Sequence, residues 1–148
     1  MRILIDGDGC PVVAEITQLA EIYQIPVKII TSYAHHTDKY QASHVSYIFV
    51  DSENQMADYK IASMMEEGDL LITQDYGLAS LVLHKGRVLH HASFEYTQDN
   101  IDGLLNQRHL HAVDRRKSAK YTKIPQFTLE NRQNFYRFLE NIIQETNI

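Results

Sequence analysis

Apolar and polar residues fall into alternating blocks that predict strands separated by helices. Short apolar runs rich in β-branched residues are typical of buried strands, whereas apolar residues three or four positions apart are typical of helices. The predicted strands are residues 2–5, 27–31, 45–51, 69–73 and 87–91. The helices predicted between them are residues 11–24, 56–66 and 78–85. We expect Pro11 to open the first helix, and Ser52 with Gln55 to form a capping box before the second.

This alternation predicts an α/β fold, because parallel strands joined through helices form right-handed crossovers. We expect a single-domain three-layer sandwich in which a mostly parallel sheet lies between two layers of helices. The 148 residues suffice for one such domain. Beyond Ala92 the strand pattern ends, and helices are predicted at residues 96–113 and 129–143. We therefore expect one domain, 1–148, with a C-terminal helical extension from about residue 95.

Charge and composition limit the classes of partner and compartment. The chain has 14 basic and 19 acidic residues, a formal net charge of −5, so we expect no indiscriminate binding to polyanions. Its one cysteine, Cys10, excludes an internal disulfide and is typical of a reducing cytoplasm. No apolar run approaches the ~18 residues of a membrane span, and the N-terminus has no leader pattern. We therefore expect a cytoplasmic protein without a membrane segment.

Aspartates follow two of the predicted strands. Asp6 comes directly after the first strand, and Asp75 follows the fourth by two residues. Ligands bind at the carboxyl ends of strands in an open parallel sheet, so both lie where a site is expected. Asp58 shares a helical face with apolar residues such as Ile61, and a carboxylate there is costly unless it lines a cation site. Turn and capping chemistry would also explain Asp6, Asp8 and an exposed Asp58, and both interpretations stay open.

Grouped carboxylates predict a divalent cation. Asp6, Asp8, Asp58 and Asp75 at one edge would repel one another, and oxygen ligands with retained waters are what Mg²⁺ or Mn²⁺ prefers. Such an ion can polarise a phosphodiester and activate water. Asp69 stands at the amino end of its strand and therefore at the opposite edge of the sheet, so we interpret it as structural.

Three ordered motifs resemble the YaiI/YqxD family of uncharacterised bacterial proteins. They are DGDGCPVV after the first strand, the Ala57–Asp58 pair followed by Ile61, and GDLLITQDYGLA. The resemblance covers nearly the whole chain. The family's usual DADACP is DGDGCP here, which makes the loop more flexible but keeps both aspartates and the cysteine.

The resemblance implies a PIN-like fold, which is a nuclease architecture. It places Asp6, Asp58 and Asp75 at the acidic positions of a PIN-type metal site, with Thr73 and Asp8 beside them. On this basis Asp6, Asp58 and Asp75 would hold Mg²⁺ or Mn²⁺, directly or through waters. Asp8 would be a fourth ligand or would orient water, and the Thr73 hydroxyl would position a ligand or substrate.

Other reactive residues favour packing or solvation over chemistry. We expect Cys10 to be a small packing residue, since Ile16 stands where a phosphate-binding cysteine loop would carry its arginine. We do not expect zinc, because adjacent histidines on a strand point to opposite faces and the later ones have no cysteine partners nearby. These histidines are His35, His36, His90, His91, His109 and His111.

A cationic patch precedes the last predicted helix. It consists of Arg115, Arg116, Lys117, Lys120 and Lys123. Such a patch would hold a phosphate backbone, and a solvated connector explains it at least as well. In the helix that follows, Phe135, Phe138, Leu139 and Ile142 form one stripe, for which we expect core packing or a homodimer contact.

Three functions remain open at this point. The first is a metal-dependent phosphodiesterase or nuclease acting on RNA or single-stranded nucleic acid. The second is a haloacid-dehalogenase-type phosphatase with Asp6 as nucleophile and Asp8 as general acid, although Cys10 stands where that superfamily has Thr or Val. The third is a non-catalytic RNA-binding or regulatory module.

Overall fold

The computed structural model describes residues 1–33, 39–53, 55–106 and 126–146. Within these residues, six strands form one sheet. They are β1 (Ile3–Asp6), β2 (Val27–Ser32), β3 (Val45–Val50), β4 (Leu70–Ile72), β5 (Arg87–His90) and β6 (Phe94–Glu95). The strand order is β3-β2-β1-β4-β5-β6. Every neighbouring pair is parallel except β5 and β6, which are antiparallel, and this confirms the predicted mostly parallel sheet.

The described residues contain five helices. They are α1 (Val13–Ile22), α2 (Met56–Met64), α3 (Tyr76–Val82), α4 (98–106) and α5 (Leu129–Thr146). α1, α2 and α3 each follow a strand, as the alternating pattern predicts. The described part of the predicted helix 96–113 is α4, and residues 107–113 lie outside the described part of the chain.

The helices cover both faces of the sheet, because successive side chains on a strand point to opposite faces. Ile3 and Ile5 of β1 pack with α1 and α5 on one face. Leu4 packs with α2, α3 and α4 on the other face. These three residues are 0% exposed, so β1 is buried from both sides. The predicted α/β three-layer sandwich is confirmed.

The stripe on α5 is part of the core. Phe135, Leu139 and Ile142 are buried in the cluster that also contains Ile16 of α1, and Phe138 packs against it. Core packing therefore explains the stripe, while the homodimer contact stays a prediction. None of the helices within the described residues is both long and apolar enough to cross a bilayer.

α2 begins at Met56, as predicted, but the start of α1 and the capping of α2 differ from the prediction. α1 begins at Val13, two residues after Pro11, with Val12 at its N-cap. The N-cap of α2 is Gln55, whose φ of 67° is left-handed and whose side chain makes no capping hydrogen bond. The expected Ser52–Gln55 capping box therefore does not form. Gln55, and not Ser52, is the N-cap residue, and its left-handed backbone conformation starts the helix.

The strand β6 was not predicted. Its two residues, Phe94 and Glu95, are too few to display the alternation on which strand prediction rests. β6 nevertheless places Tyr96 beside the sheet, where the Tyr96 N–H donates to the Val88 carbonyl at 2.9 Å.

Asp69 is held at the amino end of the sheet, before β4. Its carboxylate accepts hydrogen bonds from Arg2 Nη2 at 2.7 Å, from Arg2 Nε at 3.2 Å and from the Glu66 N–H at 2.8 Å. Burial alone would raise the pKa of Asp69, but these donors outweigh it and hold the pKa below its usual value. The structural interpretation of Asp69 therefore agrees with its contacts.

We expect Asp69→Asn to lower the free energy of unfolding by about 1–3 kcal/mol near neutral pH, because Arg2 loses its paired charge. The pKa of Asp69 is lower in the folded chain than in the unfolded chain, so its charge stabilises the fold at pH values above about 4, the pKa of the unfolded state. This stabilisation is lost as the pH falls through the pKa of the folded state. Urea denaturation at roughly pH 7 and roughly pH 3 should therefore show a smaller difference in unfolding free energy between wild type and Asp69→Asn at the lower pH.

The matched control is Glu66→Gln. Glu66 is 77% exposed and lies 3.8 Å from Arg2. An exposed pair contributes little, so we expect a change of at most about 0.5 kcal/mol. Equal losses in the two variants would contradict the role assigned to Asp69.

Candidate functional site

The site begins at Asp6, where β1 carries a carboxylate out of the core. Asp6 is the last residue of β1, and its side chain is 9% exposed. Thr73 Oγ1 donates a hydrogen bond to Asp6 Oδ2 at 2.7 Å. Among the described residues this is the one hydrogen bond to the Asp6 carboxylate, and no cationic side chain pairs with it. A buried carboxylate in this state is costly unless a cation or a proton compensates it.

The loop after Asp6 carries glycines at two places where it passes close to neighbouring segments. The Gly7 N–H donates to the Ile30 carbonyl at 2.7 Å, and a Cβ at Gly7 would lie 3.0 Å from that oxygen. Gly9 has a φ of 82°, and a Cβ there would lie 2.7 Å from the Gln74 side chain. The loop therefore passes close to the end of β2 and to the segment after β4, where side chains have little room.

Asp8 is bound to the end of β2. Its Oδ1 accepts hydrogen bonds from Thr31 Oγ1 at 2.6 Å and from the Ser32 N–H at 3.1 Å. Both groups are buried donors. Their contacts hold the Asp8 side chain in one orientation beside Asp6.

Asp75 lies at the end of the segment that follows β4. It is the N-cap of α3, where its Oδ1 accepts from the Leu78 N–H at 3.1 Å. Its own N–H donates to Thr73 Oγ1 at 3.0 Å, so the Thr73 hydroxyl accepts from Asp75 and donates to Asp6. The Tyr96 hydroxyl donates to the Thr73 carbonyl at 3.1 Å. We call Asp6, Asp8, Thr73 and Asp75 the acidic edge.

The charges of the acidic edge act on Asp6. Burial is the main reason that the pKa of Asp6 rises, and it reaches about 6. The hydrogen bond from Thr73 lowers the pKa, whereas the negative charges of Asp75 and Asp8 raise it further. The structure therefore brings together four of the five residues predicted for the site, and they influence one another electrostatically.

Asp58 is the fifth predicted residue. It is half-buried in the first turn of α2, and Ile61 and Met65 on the same helical face are buried, as the spacing predicts. α2 follows β3, so its first turn lies toward the carboxyl edge of the sheet. The proximity of Asp58 to the other carboxylates stays a prediction.

The acidic edge fits a cation held by few protein ligands. Within the described residues, no three His, Cys, Asp or Glu side chains form a group that could hold a metal ion. Mg²⁺ is usually bound through one or two carboxylates, with waters and substrate phosphates as its other ligands. Asp6 and Asp75 offer two carboxylates beside each other, and the buried charge of Asp6 lacks a cationic partner among the described residues.

Cys10 is unsuited to nucleophilic chemistry. Burial raises the pKa of its thiol to about 12, and the carboxylates of Asp6 and Glu15 add to the shift. A thiol with this pKa is protonated at neutral pH, and the thiolate is the nucleophile. Cys10 packs against the core near α1, as expected for a small packing residue.

The expectation that His90 and His91 point apart is wrong. Their ring centroids lie 4.3 Å from each other. The reason is that β5 ends at His90, so His91 belongs to a turn and not to the alternating strand. Burial lowers the pKa of His90 to about 4 and also lowers that of His91, so both rings are neutral at pH 7.

Several predicted residues lie outside the described part of the chain. They are His35, His36, His109, His111 and the whole cationic patch, Arg115, Arg116, Lys117, Lys120 and Lys123. Two residues that contact the acidic edge were not predicted as parts of its metal site. Thr31 lies near the carboxyl end of β2, which is a weak signal, whereas the Tyr96–Thr73 contact joins distant segments and has no local signal.

Comparison with known proteins gives a family without a named activity. The family model described as "Uncharacterized BCR, YaiI/YqxD family" matches residues 4–145. A UPF0178 protein of Bacillus cereus is 46% identical over 145 residues, which cover 97% of this chain and 99% of the relative. A UPF0178 protein of Enterococcus faecalis is 44% identical over 148 residues, covering 99% of each chain. No solved structure matches the chain.

We expect Asp6→Asn to stabilise the metal-free protein at roughly pH 8 by about 1–3 kcal/mol. A pKa of about 6 means that protonated Asp6 favours the fold at low pH, and that this advantage is lost as pH rises through about 6. The asparagine stays neutral and still accepts from Thr73. Urea denaturation between roughly pH 4 and pH 8 should show that the gain in unfolding free energy of Asp6→Asn over wild type grows with pH.

The control for this measurement is Asp51→Asn, because Asp51 is an exposed carboxylate directly after β3. We expect its effect on stability to stay small throughout. If Asp6→Asn and Asp51→Asn gave the same pH profile, Asp6 would not be a destabilising buried charge.

Proposed function

We propose that this chain, which belongs to the YaiI/YqxD family, is a divalent-metal-dependent phosphodiesterase that cleaves single-stranded nucleic acid. The observation that carries the proposal is the buried Asp6 carboxylate, which has Thr73 as its hydrogen-bond donor and Asp75 and Asp8 as charged neighbours. It lies at the carboxyl ends of parallel strands, where ligands bind in open sheets. A PIN-like relationship of the fold is part of the same proposal.

The roles follow from the contacts of each side chain. Asp6 and Asp75 would hold the cation, and Asp58 would join them directly or through water. A bound Mg²⁺ or Mn²⁺ would offset the carboxylate repulsion and act as a Lewis acid toward a phosphoryl oxygen. Thr73 orients Asp6 through its hydroxyl and is itself oriented by the Asp75 N–H. Asp8 is fixed by β2 at a place where it can accept a proton from water.

The geometry favours this function over a phosphatase. A haloacid-dehalogenase-type mechanism needs Asp8 as a general acid, which must carry a proton. The Thr31 hydroxyl and the Ser32 N–H both donate to Asp8, and donors stabilise the charged carboxylate. These contacts make Asp8 unsuited to the role of general acid.

We expect Mn²⁺ to raise the stability of the wild-type protein by about 2.7 kcal/mol at a hundredfold excess over its dissociation constant. Asp6→Asn, Asp58→Asn and Asp75→Asn should each reduce this gain, because each removes a negative ligand. Asparagine at position 75 can still accept from the Leu78 N–H, so the cap of α3 is kept. Thermal melts with and without Mn²⁺ measure the effect, with Asp51→Asn as the control that keeps the full gain.

We expect the same three substitutions to reduce Mn²⁺-dependent cleavage of a single-stranded oligonucleotide by more than the roughly 10–100-fold typical of changes to residues that only orient a metal ligand. Thr73→Val keeps the shape but removes the hydroxyl that orients Asp6, and should fall within that roughly 10–100-fold range. Stabilisation by Mn²⁺ without cleavage would favour a non-catalytic RNA-binding or regulatory module. A covalent phosphate on Asp6 would instead favour the phosphatase.

The cationic patch gives a separate prediction about the substrate. If its residues hold the phosphate backbone, neutralising Arg115, Arg116 and Lys117 should lower the slope of log affinity against log salt by roughly two to three units. Fluorescence anisotropy with a labelled single strand, measured over a series of salt concentrations, gives this slope. An unchanged slope would identify the patch as a solvated connector.

A further inference from the structure

A concave site lies at the carboxyl edge of the sheet, on the side of β5. It is a cavity of about 350 Å³, within the range of roughly 300–1,000 Å³ that small-molecule sites occupy. Its walls are the turn residues 91–93 after β5, Gln126 and Phe127 before α5, and Asn131 and Asn134 of α5. We call it the turn cavity.

Ser93 is strained and unsatisfied in the wall of this cavity. Its φ of 71° lies in the left-handed region, which serine adopts at a cost. Its buried Oγ has no hydrogen-bond partner among the described residues. The backbone strain and the unpaired buried hydroxyl of Ser93 each lower the stability of the fold. Such destabilising features are concentrated at ligand-binding sites.

The lining indicates the chemistry of the ligand. Gln126, Asn131 and Asn134 each carry a carboxamide, which both donates and accepts hydrogen bonds. Asn131 Oδ1 already accepts from the Thr128 N–H at 2.9 Å, so Asn131 offers a ligand chiefly the donors of its NH₂ group. Phe127 contributes an aromatic wall, with the Arg132 guanidinium 5.3 Å from its ring centroid and the His91 ring 5.5 Å from it. With His91 neutral, no described residue that lines the cavity bears a charge. These groups suit a neutral, planar ring with mixed donors and acceptors at its edge, which describes a nucleobase.

The turn cavity is close to the acidic edge. β5 is parallel to β4, so the turn after β5 emerges at the same edge as Asp6 and Asp75. β5 is two strands from β1, and neighbouring strands lie about 4.8 Å apart, which gives a lateral separation of roughly 10 Å. α5 also reaches the loop after Asp6, since Arg132 Nη1 donates to the Pro11 carbonyl.

We propose that the turn cavity binds a nucleobase of the single strand whose phosphate lies at the acidic edge. The identity of this strand as a substrate rests on the proposed function, whereas binding of the base itself requires neither a metal ion nor cleavage. The carboxamides bind the edge of the base, and Phe127 contacts its ring. The buried Ser93 hydroxyl turns toward the base on binding and gains the partner that it lacks in the empty cavity.

Free nucleosides test the cavity without phosphate or metal. We expect adenosine, guanosine, cytidine or uridine, titrated into the ¹⁵N-labelled full chain, to shift the amide signals of residues 91–93 and the side-chain amide signals of Asn131 and Asn134. Asn134→Ala should weaken binding by about fivefold, the effect of one lost hydrogen bond. Gln133→Ala is the matched control, because it removes a neighbouring exposed carboxamide that does not line the cavity.

Ser93→Gly separates binding from folding. Glycine adopts a φ of 71° without strain and has no hydroxyl to leave unpaired, so we expect thermal stability to be maintained or raised. Nucleoside binding should still weaken by about fivefold. Weaker binding in a variant of undiminished stability supports a role in recognition, and unchanged binding in both Ser93→Gly and Asn134→Ala would overturn it.

The remaining outcomes separate this inference from the proposed function. Nucleosides that shift these signals in a protein that cleaves no oligonucleotide would support the base site and contradict the phosphodiesterase. Cleavage by a protein in which no nucleoside shifts residues 91–93 would overturn the base site alone. Equal shifts with N-acetylglucosamine and with nucleosides would also overturn it, since a sugar site would then explain the lining.

Discussion

The hydrogen bond from Thr73 to Asp6 joins the ends of the two strands at the centre of the sheet. β1 is buried from both faces, so the carboxylate at its end starts from the least solvated part of the molecule. Thr73 connects this carboxylate to Asp75, and Tyr96 holds the Thr73 carbonyl from beyond β6. The orientation of the whole acidic edge therefore depends on one buried hydroxyl.

This arrangement is unfavourable for the empty protein. Burial and the neighbouring carboxylates raise the pKa of Asp6, which means that its charged form destabilises the fold. The two apolar clusters on either side of β1 supply the stability that offsets this cost. A fold that needed only a turn at this place would not require a buried carboxylate with like charges beside it. Buried charges and like-charge repulsion of this kind are typical of sites that bind a ligand.

The parts predicted from sequence are those that depend on local pattern. The strands from β1 to β5 have apolar runs, and parallel crossovers bring Asp6 and Asp75 to one edge whatever the details of packing. The parts that escaped prediction depend on contacts between distant segments or on single backbone angles. Gln55 begins α2 through a left-handed φ, and the end of β5 at His90 lets two adjacent histidine rings approach each other. β6 and the Tyr96–Thr73 bond exist only because the sheet is already assembled.

A crystal structure of the full chain grown with excess Mn²⁺ shows whether the acidic edge binds a metal ion, because the anomalous signal of Mn²⁺ locates the ion. We expect an anomalous peak in contact with the carboxylates of Asp6 and Asp75, with the Thr73 hydroxyl still donating to Asp6. A saturated crystal without a peak at the acidic edge, in which Asp6 keeps Thr73 as its sole partner, would contradict this expectation.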